Sequence, residues 1–100
     1  MPSILFIMLK SPHENVNLDL VNKLGQDSKK GALLIEDAVY YAVNEKERKN
    51  LEERVDEVFV IKDDLAARGF RGKAGGRFKE IDYQEAVDLI MEKYERTITI

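Results

Sequence analysis

Short polar segments that directly follow apolar runs hold most of the side chains able to do chemistry. Apolar runs at residues 3–9, 32–35 and 58–61 each stop abruptly at such a segment. In an open α/β sheet, ligands bind outside the carboxyl ends of the strands, which is where these segments would lie. Their lysines, hydroxyl, imidazole and carboxylates are suited to contact a ligand or a partner protein. The candidate residues of these segments are Lys10, Ser11, His13, Lys62, Asp63 and Asp64.

Two pairs of neighbouring carboxylates allow two interpretations. Glu36 and Asp37 follow the second apolar run, and Asp63 and Asp64 follow the third. Either pair has the chemistry for general acid–base work. Each pair also stands where a helix should begin, and a capping carboxylate there stabilises a helix by roughly 0.5–2 kcal/mol. We favour capping, and predict that Asp37 caps one helix and that Asp63 or Asp64 caps another.

Missing residue types and motifs narrow the chemistry open to the chain. It contains no cysteine, which excludes disulfides, thiolate catalysis and a persulfide carried on this chain. His13 is the one histidine, so we interpret it as a loop residue and expect neither a metal nor a cofactor. No glycine-rich phosphate loop follows the first apolar run. The segment Lys10-Ser11-Pro12 also lacks the acidic pair that a phosphoryl-receiver domain needs there to hold Mg²⁺.

Residues 68–79, RGFRGKAGGRFK, form a segment that we call the basic loop. It has five positive charges, no negative charge and four glycines. The rest of the chain then carries 11 positive and 19 negative charges, a net of −8. This asymmetry predicts docking to RNA, tRNA included, or to an acidic protein; the alternative is a solvated connection. The candidate contact residues are Arg68, Arg71, Lys73 and Arg77.

The apolar patterns predict five strands. The runs at 3–9, 32–35 and 58–61 lack polar alternation, which is typical of strands buried on both faces. Residues 79–82 and 97–100 predict two further short strands.

Helices are predicted between these strands. The first covers 16–27 and ends near Gly25; the second begins at Asp37 and breaks near Asn44; a third, short one follows Lys62 and ends with Gly69 in a left-handed conformation. The last covers 83–94. We expect these side chains to face the core: Val16, Leu20, Val21 and Leu24 in the first helix, one of Tyr40 and Tyr41 in the second, and Tyr83, Ala86, Val87, Ile90 and Tyr94 in the last.

Alternating strands and helices indicate an α/β fold in one domain, residues 1–100. We predict a small three-layer arrangement, with a mostly parallel sheet of four to five strands and helices on both faces. No segment approaches the length of a membrane helix, and the start of the chain does not resemble a signal peptide. We therefore expect a cytoplasmic protein without a membrane partner.

Three segments resemble the DsrH/TusB family of small sulfur-relay proteins. They are GALLIEDAVYYAV at 31–43, VFVIKDDLAARGFRG at 58–72 and IDYQEAVDLIMEKY at 81–94. The family pattern has an apolar strand ending in an acid or amide, an alanine-rich helix, a further apolar strand, a D-L-x-A-R-G turn and an I-D-Y that opens the last helix. Order and spacing are similar over residues 31–94.

The resemblance implies a fold of the YchN/DsrE type and assembly with DsrE-like and DsrF-like subunits, or self-association. It also implies a role in passing persulfide sulfur between carrier proteins, towards 2-thiouridine in tRNA or in sulfur oxidation. In the family, the reactive cysteine belongs mainly to the DsrE-like subunit, at the end of the third strand. The corresponding residues here are Ile61, Lys62 and Asp63. Some DsrH members have a cysteine after the first strand, where this chain has Lys10-Ser11-Pro12.

The sequence thus leads to one principal hypothesis and one alternative. The principal hypothesis is a non-catalytic subunit of a sulfur-relay complex, because the thiolate that persulfide transfer needs is missing. The alternative is a homo-oligomeric module that binds a small anion with Lys10, Lys62 and Arg68. Under either hypothesis we expect an oligomer, without independent enzymatic activity.

Overall fold

The computed structural model describes residues 2–14, 18–75 and 77–100. Within these ranges, five parallel strands form a sheet in the order β4-β3-β2-β1-β5. This architecture confirms the predicted α/β class with a parallel sheet. The strands are β1 (Ser3–Met8), β2 (Lys29–Leu34), β3 (Glu57–Ile61), β4 (Phe78–Ile81) and β5 (Arg96–Thr99).

The helices follow the alternating order of the sequence patterns. They are α1 (Asp19–Leu24), a 3-10 turn (Glu36–Val39), α2 (Tyr40–Val43), α3 (Glu45–Glu52), α4 (Lys62–Ala67), α5 (Tyr83–Asp88) and a π-helical turn (Leu89–Lys93). Asn44 caps α3 by accepting a hydrogen bond from the Glu47 N–H at 3.3 Å, so the break expected near this residue is confirmed. None of the described helices is long and apolar enough to cross a membrane.

Helices cover both faces of the sheet because of the strand order. Strands β1 to β4 advance in one direction, so right-handed crossovers place α1 to α4 on the same face. The chain then returns to the other side of β1 to form β5, which places α5 on the opposite face. Two apolar clusters reflect this arrangement: Val21, Tyr41, Leu51 and Leu65 pack on the first face, and Ala86, Leu89 and Tyr94 pack on the second.

The helix over residues 83–94 does not present the face that its apolar spacing predicted. Ala86 and Tyr94 are buried, but Tyr83 and Val87 are 46% and 50% exposed. The reason is the π-helical turn, in which the Tyr94 N–H bonds to the carbonyl of Leu89, five residues back, at 3.2 Å. A π turn adds one residue to the helical repeat, so Tyr94 lies on the buried side with Ala86 and Leu89. In a regular helix the spacing would have placed Tyr94 with Tyr83 and Val87.

Helix α1 is shorter than the predicted 16–27, and its buried face also differs. Val21 is buried with Leu18, whereas Leu20 and Leu24 are exposed. Leu18 and Val21 are three residues apart and share the buried side of the helix, and Leu20 and Leu24, four residues apart, share a different, exposed side. Gly25 ends the helix as predicted, with its N–H on the Val21 carbonyl at 2.9 Å. The prediction for Val16 lies outside the described residues.

The end of α4 has the predicted left-handed glycine. Gly69 has a φ of +78°, and its N–H donates to the Ala66 carbonyl at 3.1 Å. The N–H of Phe70 donates to the Leu65 carbonyl at 2.8 Å. These two bonds form a Schellman motif, which turns the chain away from α4 into the basic loop.

Candidate functional site

Asp64 connects the polar segments that follow β2, β3 and β4. One of its carboxylate oxygens, Oδ2, accepts a hydrogen bond from the Glu36 N–H at 2.8 Å. The hydroxyl of Tyr83 lies 2.9 and 3.1 Å from Oδ2 and Oδ1. Since the three strands are neighbours in the sheet, the residues just beyond their carboxyl ends meet at one edge. Asp64 therefore holds three separate chain segments together.

Arg68 extends this network through Asp37. Its Nε and Nη2 donate to Asp37 Oδ1 at 3.1 and 2.8 Å, and its Nη1 donates to the Asp64 carbonyl at 3.1 Å. The hydrogen bond to Asp37 raises the pKa of Arg68 above its ordinary value. The anion-binding charge that the sequence suggested for Arg68 therefore already has a carboxylate partner at the protein surface.

The predicted helix caps are wrong at this edge. The residues at the N-cap positions of the 3-10 turn and of α4 are Ile35 and Ile61, and neither makes a side-chain cap. Asp37 and Asp64 instead bind partners from distant parts of the sequence. Glu36 has a left-handed backbone conformation, with a φ of +53°. Its N–H donates a hydrogen bond to the Asp64 carboxylate, so this carboxylate does not cap its own helix.

The last helix has a cap that the sequence analysis did not assign. Asp82 accepts from the Glu85 N–H at 2.8 Å, and the Glu85 carboxylate accepts from the Asp82 N–H at 3.3 Å. This is a reciprocal capping box. Its signal, Asp-x-x-Glu before an apolar stretch, was present at residues 82–85. The cap fixes the start of α5 and so the position of Tyr83.

Tyr83 was not among the predicted site residues, although its hydroxyl is one of the two groups that Asp64 binds. Partial burial raises its pKa, and the hydrogen bond to Asp64 raises it further. One of the neighbouring residues Tyr40 and Tyr41 was predicted to face the core, and Tyr41 is the buried one. Tyr40 packs edge-to-face on Phe70, with ring centroids 5.3 Å apart.

Lys62 and Asp63 face a separate depression of about 500 Å³ beside the network. Arg71 and Glu80 also line it, so two cationic and two anionic side chains share the space. None of the ion pairs among the described residues includes these four side chains. The mixed charge differs from the purely cationic site that the anion-binding alternative predicted.

Lys10, Ser11 and His13 lie in the turn after β1 and do not join the network. Lys10 and His13 are exposed, and Ser11 is partly buried. The Ser11 carbonyl accepts from the Glu14 N–H at 3.1 Å. Within the described ranges, no hydrogen bond or ion pair joins these residues to Asp64. No group of three or more histidine, cysteine, aspartate or glutamate side chains in those ranges is arranged to hold a metal ion.

The basic loop is anchored to the first face of the sheet. Phe70 and Ala74 pack against the apolar cluster of that face, and the Gly75 N–H donates to the Ala42 carbonyl at 3.1 Å. Arg77 lies 3.7 Å from Glu52, and both Arg71 and Lys73 are exposed. The loop therefore presents Arg71 and Lys73 to solvent from a fixed backbone; Gly76 lies outside the described residues.

Glu57 forms a second polar cluster, at the amino end of β3. It accepts a hydrogen bond from the Tyr94 hydroxyl and lies 3.4, 3.8 and 3.4 Å from the amines of Lys29, Lys79 and Lys93. Burial alone would raise the pKa of Glu57, but Tyr94 and the lysines outweigh it, so the pKa is lowered. Burial and the Glu57 carboxylate raise the pKa of Tyr94. The cluster could not be predicted from the sequence, because its members are scattered along the chain and form no motif.

The outer side of the last helix exposes an apolar stripe. Tyr83, Val87 and Met91 are 46%, 50% and 76% exposed. A groove of about 430 Å³ lies beside the helix, between it and β3 and β4. The groove is lined by Phe59, Lys79, Ile81, Glu85, Asp88, Leu89, Glu92 and Lys93.

The family model described as DsrH like protein matches residues 10–96. The chain belongs to this DsrH-like family. Membership makes it a protein of the sulfur-relay type, whose members generally work in complexes with other subunits. The predicted resemblance to DsrH/TusB is thereby confirmed. No protein in the curated collection of sequences matches the DsrH-like chain.

The fold of the DsrH-like chain is also that of a solved structure. The crystal structure of the YchN protein from E. coli superposes with a TM-score of 0.79, over 100% of both chains, at 14% sequence identity. This likeness confirms the predicted YchN-like fold. Where the family resemblance places a reactive cysteine, the DsrH-like chain has Lys62 and Asp63 at the start of α4, next to Asp64.

Proposed function

We propose that this DsrH-like chain is a non-catalytic subunit of a sulfur-relay complex, assembled with DsrE-like and DsrF-like partners. The observation that carries the proposal is the network around Asp64. It occupies the sheet edge at which a relay subunit would hold its nucleophile, on a chain without cysteine.

The groups at this edge hold the protein together and do not offer a nucleophile. Persulfide transfer needs a thiolate, whereas Asp64 accepts a bond from Glu36 and Arg68 donates one to Asp37. Asp64 joins the segments that follow β2, β3 and β4. Arg68, at the end of α4, adds a bond to Asp37 in the segment that follows β2. A rigid edge of this kind suits a subunit that supports or positions a cysteine-bearing neighbour.

The sulfur-carrier proteins that the complex serves would determine the pathway in which the chain acts. Two pathways fit a sulfur-relay subunit: formation of 2-thiouridine at the wobble position of tRNA, and sulfur oxidation. In both, the chain would meet sulfur carriers indirectly, through its cysteine-bearing partner, and would work in the cytoplasm. A direct contact with tRNA would use Arg71 and Lys73, which the basic loop presents to solvent.

Co-purification from the source cell tests the proposal. A tagged chain is recovered under mild salt, and the bound proteins and RNA are identified by mass spectrometry and sequencing. We expect cysteine-bearing DsrE-like and DsrF-like proteins in stoichiometric amounts. Recovery of the chain with no relay protein would contradict the proposal.

A transfer assay then tests the non-catalytic role. The recovered cysteine-bearing partner is loaded with radioactive persulfide sulfur, and transfer to its acceptor is followed with and without this chain. We expect label on the partner and the acceptor, none on this chain, and slower transfer when the chain is left out. Label that is stably bound to this chain would show a direct chemical role and would overturn the proposal.

A further inference from the structure

The depression beside the Asp64 network, which we call the mixed-charge depression, is lined by side chains of both signs. Its volume of about 500 Å³ is in the range of roughly 300–1,000 Å³ that small-molecule sites occupy. The other two lining residues, Ala66 and Gly72, are small and uncharged. The charged lining residues are Lys62, Asp63, Arg71 and Glu80.

The four charges of the mixed-charge depression are not neutralised within the described part of the chain. None of the side-chain hydrogen bonds or ion pairs in that part includes any of them, and all four residues are exposed. Nearby charges are paired instead: Arg68 with Asp37 at 2.8 Å, and Arg77 with Glu52 at 3.7 Å. A ligand can therefore reach the four side chains without first breaking a bond inside the protein.

The charges come from three chain segments that the sheet brings together. Lys62 and Asp63 begin α4 directly after β3. Glu80 lies on β4, opposite Val60 of β3 in the parallel register. The anions and one cation are thus carried by neighbouring parts of the sheet edge, and the second cation comes from the basic loop.

A tight turn fixes the backbone that carries this second cation, Arg71. The Lys73 N–H donates to the Phe70 carbonyl at 3.0 Å, which closes a turn with Arg71 and Gly72 at its centre. Gly72 has a φ of +74°, as the third residue of a type II turn requires. Phe70 packs against the apolar cluster of the first face. Because the turn is already ordered, less backbone entropy is lost when Arg71 binds a ligand.

The equal number of charges of each sign selects the class of ligand. A simple anion is attracted by the two cations and repelled by the two carboxylates, and a simple cation meets the reverse. A ligand that carries one positive and one negative group satisfies both sets at once. An α-amino acid has this form near neutral pH, with a carboxylate and an ammonium group on the same carbon atom.

We propose that the mixed-charge depression binds a free α-amino acid as its zwitterion. Arg71 holds the ligand carboxylate with two parallel N–H groups, a geometry that a guanidinium provides, and Lys62 adds a third donor. Asp63 and Glu80 accept from the ligand ammonium group. The ligand side chain lies towards Ala66 and Gly72, which add no charge. The proposal goes beyond the sulfur-relay role and does not depend on it.

Three probes of similar size separate a zwitterion site from a site for one charge. L-Alanine carries both charges, L-alaninamide keeps only the ammonium group, and N-acetyl-L-alanine keeps only the carboxylate. Two-dimensional amide NMR of the isotope-labelled chain follows each titration and locates the binding. We expect L-alanine to shift the signals of residues 62–66, 71, 72 and 80 with a Kd in the millimolar range. The other two probes should bind about tenfold or more weakly.

Two double variants then assign the charges. Lys62→Gln with Arg71→Gln removes the cations, and Asp63→Asn with Glu80→Gln removes the anions. Each should bind L-alanine about threefold to tenfold more weakly than the wild type. The first variant should bind L-alaninamide more tightly than the wild type does, and the second should bind N-acetyl-L-alanine more tightly, because each has lost the charges that repel that probe.

The matched control is Lys73→Gln with Glu53→Gln, which changes two exposed residues outside the mixed-charge depression. We expect it to bind all three probes as the wild type does. The same spectra show whether each variant is folded, and single replacements give the same comparison if a double variant is not.

Three results would overturn the proposal. The first is an L-alanine titration that shifts none of the expected signals through the millimolar range. The second is binding of L-alaninamide or N-acetyl-L-alanine as tight as that of L-alanine, which would mean a site for one charge. The third is L-alanine binding that the two site variants weaken no more than the control does. Co-purification of relay partners is a separate measurement and tests the proposed function alone.

Discussion

The hydroxyl of Tyr83 donates to the carboxylate of Asp64, 19 residues earlier in the chain, at 2.9 Å. The same carboxylate accepts the N–H of Glu36, 28 residues earlier still, at 2.8 Å. One short side chain, just after β3, therefore fixes the segments that follow β2 and β4, the strands on either side of β3. Asp63, the adjacent residue, makes neither bond.

Replacing Asp64 should cost stability that replacing Asp63 does not. Asp64→Ala leaves the N–H of a left-handed Glu36 and a tyrosine hydroxyl without their acceptor. We expect the free energy of unfolding to fall by about 1–2 kcal/mol. Asp63→Ala, at an exposed position, should change it by no more than about 0.5 kcal/mol. Urea unfolding of the two variants measures the difference, and equal midpoints would contradict the structural role of Asp64.

Gly69→Val should destabilise the fold through backbone strain alone. The φ of Gly69 is +78°, and a Cβ added there meets no atom within 4 Å. A β-branched residue in this conformation should cost about 1–3 kcal/mol. Ala67→Val, which places the same side chain on the last helical residue, and Lys62→Ala are the controls. Thermal melts that give the three variants the same midpoint would show that Gly69 does not close α4 as described.

Gly31→Ala should destabilise the fold for a different reason. A Cβ on Gly31 would overlap the hydroxyl and ring of Tyr94. Such overpacking in the interior costs about 1–3 kcal/mol. Tyr94→Leu shortens the side chain and should recover part of this cost in the double variant. The measurement is a double-mutant cycle in urea, and strictly additive changes would mean that the two residues do not conflict.

Glu57 should contribute to the acid sensitivity of the protein. Its pKa in the fold is below the ordinary value of 4.5, so its stabilising contribution is present above 4.5 and is lost as the pH falls through the lowered pKa. We expect Glu57→Gln to melt at a lower temperature than the wild type at pH 7, and the gap to narrow as the pH falls below about 4.5. Melting temperatures from pH 7 to pH 3 test this, with Glu53→Gln as an exposed control. A gap that does not change with pH would contradict it.

Strand positions were predictable because burial on both faces leaves a continuous apolar run. The run at 58–61 became β3, Glu57–Ile61, and the run at 3–9 became β1, Ser3–Met8. The glycine at the end of α4 was predictable for a similar reason. A left-handed residue just after a helix is usually glycine, so the glycine itself marks this position in the sequence.

The network at the carboxyl edge was not predictable in the same way. A carboxylate at the start of a helix suggests a cap, but Asp64 instead accepts hydrogen bonds from the Glu36 N–H and the Tyr83 hydroxyl, which lie in distant segments. That choice depends on the sheet order, which brings the ends of β2, β3 and β4 together. The π-helical turn has no sequence signal of its own, so the buried face of the last helix was misassigned at Tyr83 and Val87.

The strand order has a consequence for aggregation. β4 and β5 terminate the sheet, and each has only four residues. β4 carries exposed Lys79 and Glu80, and β5 carries exposed Arg96. Short edge strands with charged side chains resist the addition of a strand from another molecule. Backbone pairing between copies is therefore disfavoured, and the chain can display an apolar helix stripe to a partner while its sheet edges stay protected against uncontrolled growth.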